Sequence, residues 1–208
     1  LEYNTSGEGN TAIGQGSMYD NTTGNQNTAI GQSTLANNTT GSSNIAIGAN
    51  ALDANTTASG NLAVGNAALF DNTTGSYNLA IGQTSLTNNT TGYQNIAIGI
   101  NALEDNTTGF SNIAIGPSAL SNATTGNSII AIGENALAAN TSGVLLFGLG
   151  VNALANNTTG QQNTAIGNQA MYSNTTAGGS VAIGAFSPLG ANTTGTGHVA
   201  VGNGTLLN

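Results

Sequence analysis

Residues 89–105 read N-T-T-G-Y-Q-N-I-A-I-G-I-N-A-L-E-D, and this arrangement recurs along the whole chain. A glycine closes the A-I-G-like triplet of every copy, and successive glycines are 17 residues apart except in the last interval, which has 18. These glycines are Gly14, Gly31, Gly48, Gly65, Gly82, Gly99, Gly116, Gly133, Gly150, Gly167, Gly184 and Gly202. With so short a period, each copy can bury its apolar face only against its neighbours. We therefore expect residues 1–208 to form one repeat array, an all-β parallel β-solenoid (β-roll) of about twelve 17-residue coils.

Each copy combines a strand signal with turn chemistry. Around Ala97 the residues alternate between larger aliphatic and small side chains, which is typical of a short strand. The N-T-T-G stretch favours a turn, since asparagine bonds its own backbone and glycine accepts positive φ. Helix is disfavoured because 31 glycines and many β-branched residues would be costly in helix interiors. We predict coils of two short strands and two turns, stacked into a rod of about 58 Å at a spacing of ~4.8 Å.

Aliphatic side chains that recur once per coil predict the core. Ile96 and Ile98 share one face of the strand, and Leu103 comes from the following A-L pair. Replacing Ile98 with aspartate is then predicted to bury an unpaired charge. On the opposite face, Ala97 and Gly99 are predicted to form a smooth packing surface. The predicted structural core consists of Ile13, Ile30, Ile47, Ile81, Ile98, Ile115, Ile132, Ile166, Ile183, Leu52, Leu103 and Leu154.

The charge composition excludes two classes of partner. The chain has no lysine or arginine and eight carboxylates, for a formal net charge of -8. Nucleic acid and anionic membrane surfaces are bound mainly through cationic side chains, so neither is expected as a partner. No apolar run approaches the ~18 to 20 residues needed to span a bilayer, so membrane insertion is not expected either. The chain has no cysteine, which excludes disulfides and thiolate metal sites.

The repeat also resembles a known family. The N-I-A-I-G and N-T-A-I-G strands, followed by A-L and a polar turn, resemble the YadA-like head repeats of trimeric autotransporter adhesins and related N-T-A-I-G/N-T-T-G arrays of bacterial surface and phage tail-fibre proteins. The resemblance covers essentially the whole chain. It implies a left-handed β-roll, packed as a homotrimer with the alanine and glycine ribbon at the axis. It also implies an extracellular or cell-surface location, or a virion tail fibre. We expect the array to be a segment of a longer fibre, with end-to-end stacking of units as the alternative.

No catalytic, cofactor or metal site is predicted. Catalysis requires titratable groups that converge, and calcium requires six to eight oxygens brought together. The acidic residues are instead scattered along the predicted rod: Glu2, Glu8, Asp20, Asp53, Asp71, Glu104, Asp105 and Glu134. An enzyme is accordingly not expected.

The turns supply a ladder of candidate N-glycosylation sites. Almost every coil contains an N-x-[ST] sequence whose middle residue is not proline. The candidate acceptors are Asn4, Asn21, Asn38, Asn55, Asn72, Asn89, Asn106, Asn122, Asn140, Asn157, Asn174 and Asn192. One interpretation is a column of glycans on exposed turns; the other is that asparagine and threonine are simply good turn formers.

Three functional hypotheses follow. The leading one is a stiff extracellular structural or adhesive fibre that contacts host or neighbouring cell surfaces through its repetitive sides. The second is an N-glycan-bearing fibre scaffold. The third is an ice-binding solenoid, suggested by stacked pairs such as Thr90 and Thr91.

Two copies depart from the repeat pattern. The copy at 143–150 is more apolar than the others, and its Phe147 either contacts another subunit or fills the core. A one-residue insertion near Pro188 predicts a bulged turn.

Overall fold

A single parallel sheet runs the length of the molecule. The structure is a computed structural model that describes residues 2–186, 189 and 191–204, so Pro188 and its predicted bulge lie outside the described residues. Twelve three-residue strands pair in chain order, β1 to β12. Their bounds are Thr11–Ile13, Thr28–Ile30, Ile45–Ile47, Leu62–Val64, Leu79–Ile81, Ile96–Ile98, Ile113–Ile115, Ile130–Ile132, Phe147–Leu149, Thr164–Ile166, Val181–Ile183 and Val199–Val201. The predicted all-β parallel solenoid is thus confirmed.

The register of the sheet stacks equivalent residues directly on one another. Between β6 and β7, Ile96 pairs with Ile113 and Ala97 with Ala114. Every other strand pair has the same register, so each position of the repeat forms a column along the rod.

The described coils each contain one strand rather than the predicted two. The segment that follows the strand, which includes the A-L pair, forms a tight turn. Leu103 has a φ of 53° and Asn101 a φ of 57°, both in the left-handed region. This conformation costs an L-residue ~1–2 kcal/mol. For Leu103 the cost is offset because full burial of a leucine side chain contributes ~1.5–3 kcal/mol.

The glycine that defines the period is required by two constraints. Gly99 has a φ of 136°, which other residues rarely adopt. A Cβ at this position would also lie 2.6 Å from the carbonyl oxygen of Gly116 in the next coil. The backbones of successive coils therefore approach too closely here for any side chain.

The interior of the roll is lined by small and medium-sized side chains. Leu52, Leu103 and Leu154 are fully buried, which confirms their assignment to the core. The central alanine of the strand is also buried in β2 to β8, as Ala97 illustrates. Alanine and leucine thus face one another across a narrow interior.

The isoleucine columns lie on the outside, so their assignment to the core was wrong. None of the nine predicted isoleucines is buried: Ile13, Ile30, Ile47, Ile81, Ile98, Ile115, Ile132, Ile166 and Ile183. Ile13 is 58% exposed, for example, whereas Leu103 has no exposed surface. Gly148 gives the physical reason, because a Cβ there would lie only 3.2 Å from Cδ1 of Leu137. The inward position of the strand has no room for a side chain larger than alanine, so the isoleucines must point outward.

Candidate functional site: an aliphatic face and two buried asparagine ladders

The most extensive surface feature is a flat apolar strip, which we call the aliphatic face. It consists of the first and third residues of strands β1 to β12. These residues are isoleucine, leucine, valine or phenylalanine, except for Thr11, Thr28 and Thr164. No charged residue lies in any of the twelve strands. The face is therefore continuous, uncharged and partly exposed along the described rod.

The aliphatic face is as large as the largest apolar patches of ordinary monomers. A three-residue strand is ~10 Å long, and twelve strands at ~4.8 Å spacing extend ~58 Å, which gives a footprint of ~600 Å². The largest apolar patch on a typical monomer is ~300–600 Å² and is often functional. Because successive Cβ atoms of a strand alternate between its faces, the same alternation that buries alanine exposes this strip.

A ladder of asparagine side chains runs through the turn side of the interior. We call it the turn ladder, and it contains the asparagine of each N-T-T-G sequence. Asn89 donates one hydrogen bond from Nδ2 to Oδ1 of Asn72 at 2.7 Å and another to the carbonyl oxygen of Gly92 at 2.9 Å. Its own Oδ1 accepts a bond from Asn106 at 2.6 Å. The ladder satisfies these amides inside the roll, as buried polar groups require.

Burial of the turn ladder overturns the predicted display of glycans. Nine candidate acceptors have no exposed surface: Asn21, Asn38, Asn55, Asn72, Asn89, Asn106, Asn140, Asn157 and Asn174. A glycan on Nδ2 would have to replace hydrogen bonds inside the roll, and the interior has no space for it. The periodic spacing of the sequons reflects a structural ladder, which was the other interpretation of the pattern. A regular column of N-glycans is therefore not a property of this fold.

Three candidate acceptors differ from these nine. Asn4 is exposed at the start of the ladder, and Asn192 is half-buried. Asn122 is exposed because its sequon is shifted by one residue, so that Ala123 occupies the ladder position. Among the described residues, Oδ1 of Asn106 consequently has no hydrogen-bond partner, since Ala123 cannot donate to it.

A second ladder, the strand ladder, immediately precedes the strands. In it, the backbone N–H of Asn95 donates to Oδ1 of Asn78 at 3.0 Å, and Nδ2 of Asn95 donates to the carbonyl oxygen of Gly109 at 2.9 Å. Ile129 and Leu146 replace asparagine in this column and are both buried. The apolar copy at 143–150 therefore interrupts the strand ladder with a leucine that fills the interior.

The two threonines of each turn have different environments. Oγ1 of Thr90 donates to the carbonyl oxygen of Thr107 in the next coil at 2.9 Å, whereas Thr91 is exposed. The first threonine therefore joins successive coils, and the second forms an exposed column one side chain wide. Ice binding by this column stays a prediction, which a thermal-hysteresis measurement would test.

The acidic groups remain dispersed. No three His, Cys, Asp or Glu residues within the described part of the chain lie close enough together to hold a metal ion. Burial raises the pKa of the Asp53 carboxyl. Burial, and secondarily the charge of Asp105, raise the pKa of Glu104. In the same described ranges, no helix is long and apolar enough to cross a membrane.

Neither a protein-family model, nor a curated protein, nor a solved structure matches this chain. The functional assignment rests on the geometry of the aliphatic face and the two ladders. Sequence reasoning missed both the direction of the aliphatic face and the burial of the asparagines. A signal for the ladders was present, because asparagine recurs at two fixed positions of nearly every repeat.

Proposed function

We propose that this protein is a structural rod that packs against parallel copies of itself through the aliphatic face, forming a homotrimeric segment of an extracellular or cell-surface fibre. The observation that carries this proposal is the continuous uncharged aliphatic strip along β1 to β12. An apolar surface of this extent in water favours association, because association removes it from solvent.

A second copy of the chain is the occupant whose chemistry fits best. A partner must offer apolar side chains that repeat every ~4.8 Å over ~58 Å, because this is the spacing of the strands on the face. The chain itself has that period and length. The acidic residues lie outside the strands, so the outward strand residues of identical faces can meet without bringing like charges together, although Glu134 lies at the edge of the face, two residues after β8. Parallel alignment places each isoleucine layer against an equivalent layer.

The area of the face is sufficient for either two or three copies. With ~600 Å² per copy, a dimer would bury ~1,200 Å² and a trimer ~1,800 Å², and both totals fall within the ~1,200–2,000 Å² of stable specific interfaces. The resemblance to trimeric adhesin heads supports three copies and the left-handed winding. The proposed axis differs from the one that the resemblance first suggested, because alanine lies inside the roll. The isoleucines, rather than an alanine and glycine ribbon, would surround the axis.

Such a bundle would serve as a stiff spacer or adhesive shaft. Each coil is joined to the next by strand pairing, by asparagine bonds and by threonine bonds such as that between Thr90 and Thr107. The exposed turns repeat on the outer sides of the bundle, and repetition of even a weak contact with a host or neighbouring cell surface would produce avidity. End-to-end stacking of such units would extend the fibre.

Sedimentation velocity tests this proposal directly. We expect a species of about three times the 20.3 kDa chain mass. A variant with Ile45, Ile96, Ile113 and Ile130 each changed to threonine should remain folded, because Thr11, Thr28 and Thr164 already occupy this column, but it should sediment as a monomer. The matched control is Tyr172→Thr, which alters an exposed aromatic residue in the turn after β10, at a position that Thr87 already occupies in its own coil. A monomeric parent protein, or a trimer that survives the four substitutions, would overturn the proposal.

A further inference from the structure

One coil carries exposed apolar side chains along both edges of the aliphatic face. We call this group the apolar collar: Leu145, Phe147, Leu149 and Val151. Leu145 is 55% exposed and Val151 is 40% exposed. Phe147 and Leu149 are the outward residues of β9, and Leu145 and Val151 flank that strand. The collar therefore widens the apolar surface at a single level of the rod.

The coils on either side are polar at the flanking positions. The column of Leu145 continues with Ser128 in the preceding coil and Gln162 in the following one. The column of Val151 continues with Glu134 and Asn168. In other described coils a large apolar residue extends the face along one edge only, as Tyr77 does in the column of Leu145 and Ile100 in the column of Val151. Both edges carry large apolar residues together at the collar.

The left-handed backbone at Leu145 is a feature of the repeat rather than of the collar. Leu145 has a φ of 56°, and the equivalent residues Gln94, Ser128 and Gln162 have φ values of 56°, 57° and 57°. Leu145 differs from them in its side chain, which is apolar and 55% exposed where the neighbouring coils carry a polar residue. Packing against another copy would bury it.

The rest of the aliphatic face cannot fix how two copies align along their length. From β5 to β8 the outward residues are leucine or isoleucine throughout. Sliding one copy by one coil exchanges these side chains for similar ones. A repetitive surface of this kind specifies register only weakly.

We infer that the apolar collar sets the axial register of the parallel copies; this inference rests on the self-assembly proposed above. In register, the collars of all copies lie at one level and bury one another. A shift of one coil instead places Leu145 beside Ser128 or Gln162 of a neighbour and Val151 beside Glu134 or Asn168. Burying these polar groups against apolar ones without hydrogen bonds is costly. Phe147 also favours the in-register arrangement, because it is larger than Ile130 and Thr164, its neighbours in the same column.

Disulfide trapping tests the register, because the chain has no cysteine of its own. Ile30→Cys and Ile47→Cys chains, which carry tags of different size, are refolded together and mildly oxidised. These positions lie in β2 and β3 on the aliphatic face, one coil apart. In-register parallel packing links like chains. A shift of one coil links unlike chains, and antiparallel packing links neither, because β2 and β3 would then face the opposite end of the rod.

The same experiment is repeated in a collar variant with Leu145→Gln, Phe147→Ile and Val151→Asn. Each new residue already occupies its column elsewhere, as at Gln94, Ile96 and Asn66, so the variant should fold. We expect like-chain links to dominate with the native collar, and unlike-chain links to rise about tenfold in the variant, which corresponds to a loss of ~1.4 kcal/mol of register preference. The control Ile96→Thr removes apolar area from the face while leaving the collar intact, and should keep the native ratio.

The outcomes separate the two proposals. Sedimentation is measured on every sample. If the protein is a trimer and the ratio of unlike-chain to like-chain links does not change in the collar variant, the role of the collar is overturned and self-assembly is not. The same conclusion follows if the protein is a trimer but forms neither like-chain nor unlike-chain links. A monomer with the native collar overturns both proposals.

Discussion

The two sides of the same strands differ in a way that reverses the usual arrangement of a globular protein. Inside, Ala97 is buried beside asparagine ladders whose amides are hydrogen-bonded. Outside, Ile96 and Ile98 remain partly exposed. Large aliphatic residues are normally among the most buried and asparagine is mostly exposed. The comparison shows that the width of the interior, rather than hydrophobicity alone, decides which side chains enter a thin solenoid, and that the isoleucines of the strand remain on its outside.

The largest effects are expected when a single charge is placed on one side or the other of the same strand. Ala97→Asp should unfold the coils around β6, because an unpaired buried carboxylate costs several kcal/mol. Ile98→Asp should leave a folded chain, since its side chain reaches solvent, but should abolish association. Circular dichroism on heating reports folding, and sedimentation reports the oligomer.

The conservative pair Ala97→Gly and Ile98→Thr provides the control for this experiment. Both variants should fold, because Gly148 already occupies the column of Ala97 and Ile98→Thr introduces no charge. Equal loss of structure in Ala97→Asp and Ile98→Asp would contradict the assignment of opposite faces.

A second comparison deletes apolar atoms inside and outside the roll. Leu103→Ala should lower the free energy of unfolding by ~2–5 kcal/mol, because it leaves a cavity in a packed interior. Ile100→Ala should change it by less than ~0.5 kcal/mol, since Ile100 is 55% exposed on a turn. Urea denaturation measures both values. A similar loss in both variants would show that Leu103 does not bear the packing assigned to it.

Filling the gap in the turn ladder at Ala123 should stabilise the fold. Ala123→Asn should give Oδ1 of Asn106 a donor and raise the free energy of unfolding by ~1–3 kcal/mol, the usual cost of an unsatisfied buried polar group. The resulting sequence around the turn would match that at Asn88 and Asn89. Urea denaturation measures the gain. In an Asn106→Ala background the gain should be smaller, because the bond to Oδ1 of Asn106 is lost while those expected with Gly126 and Asn140 remain. An undiminished gain there would have another cause.

The acidic groups should have the smallest effect on the stability of the fold. Acidification should stabilise the protein slightly, whereas acid usually destabilises proteins. The pKa of Asp53 is raised by burial, so its ionised form is disfavoured in the folded chain. This destabilisation is present above the raised pKa and is removed as the pH falls below the ordinary value of 3.8. We therefore expect the melting temperature to rise slightly as the pH is lowered from 7 to about 4. The rise should be smaller in Asp53→Asn, and a fall in melting temperature would contradict this account.

Periodicity determined the architecture well but left the orientation of the strand open. The 17-residue period and the A-I-G triplet predicted a parallel solenoid, and Leu103 was correctly placed inside. Alternation at Ile96, Ala97 and Ile98 separates two faces without saying which one points inward. That choice depends on the distance across the roll, which a local pattern does not contain. The left-handed turn at Leu103, which replaces the second predicted strand, depends on the same distance.

The winding of the chain gives the rod a distinctive response to tension. A coil of 17 residues contributes ~4.8 Å of length when folded and ~58 Å when pulled straight. Each coil that detaches would therefore lengthen the rod by roughly 50 Å while its neighbours stay intact. The interface between Asn106 and Ala123 and the interface between Asn174 and Asn192 each lack a rung of the turn ladder, and both would detach before otherwise similar interfaces. Under load the molecule would therefore lengthen in steps that begin at these two levels.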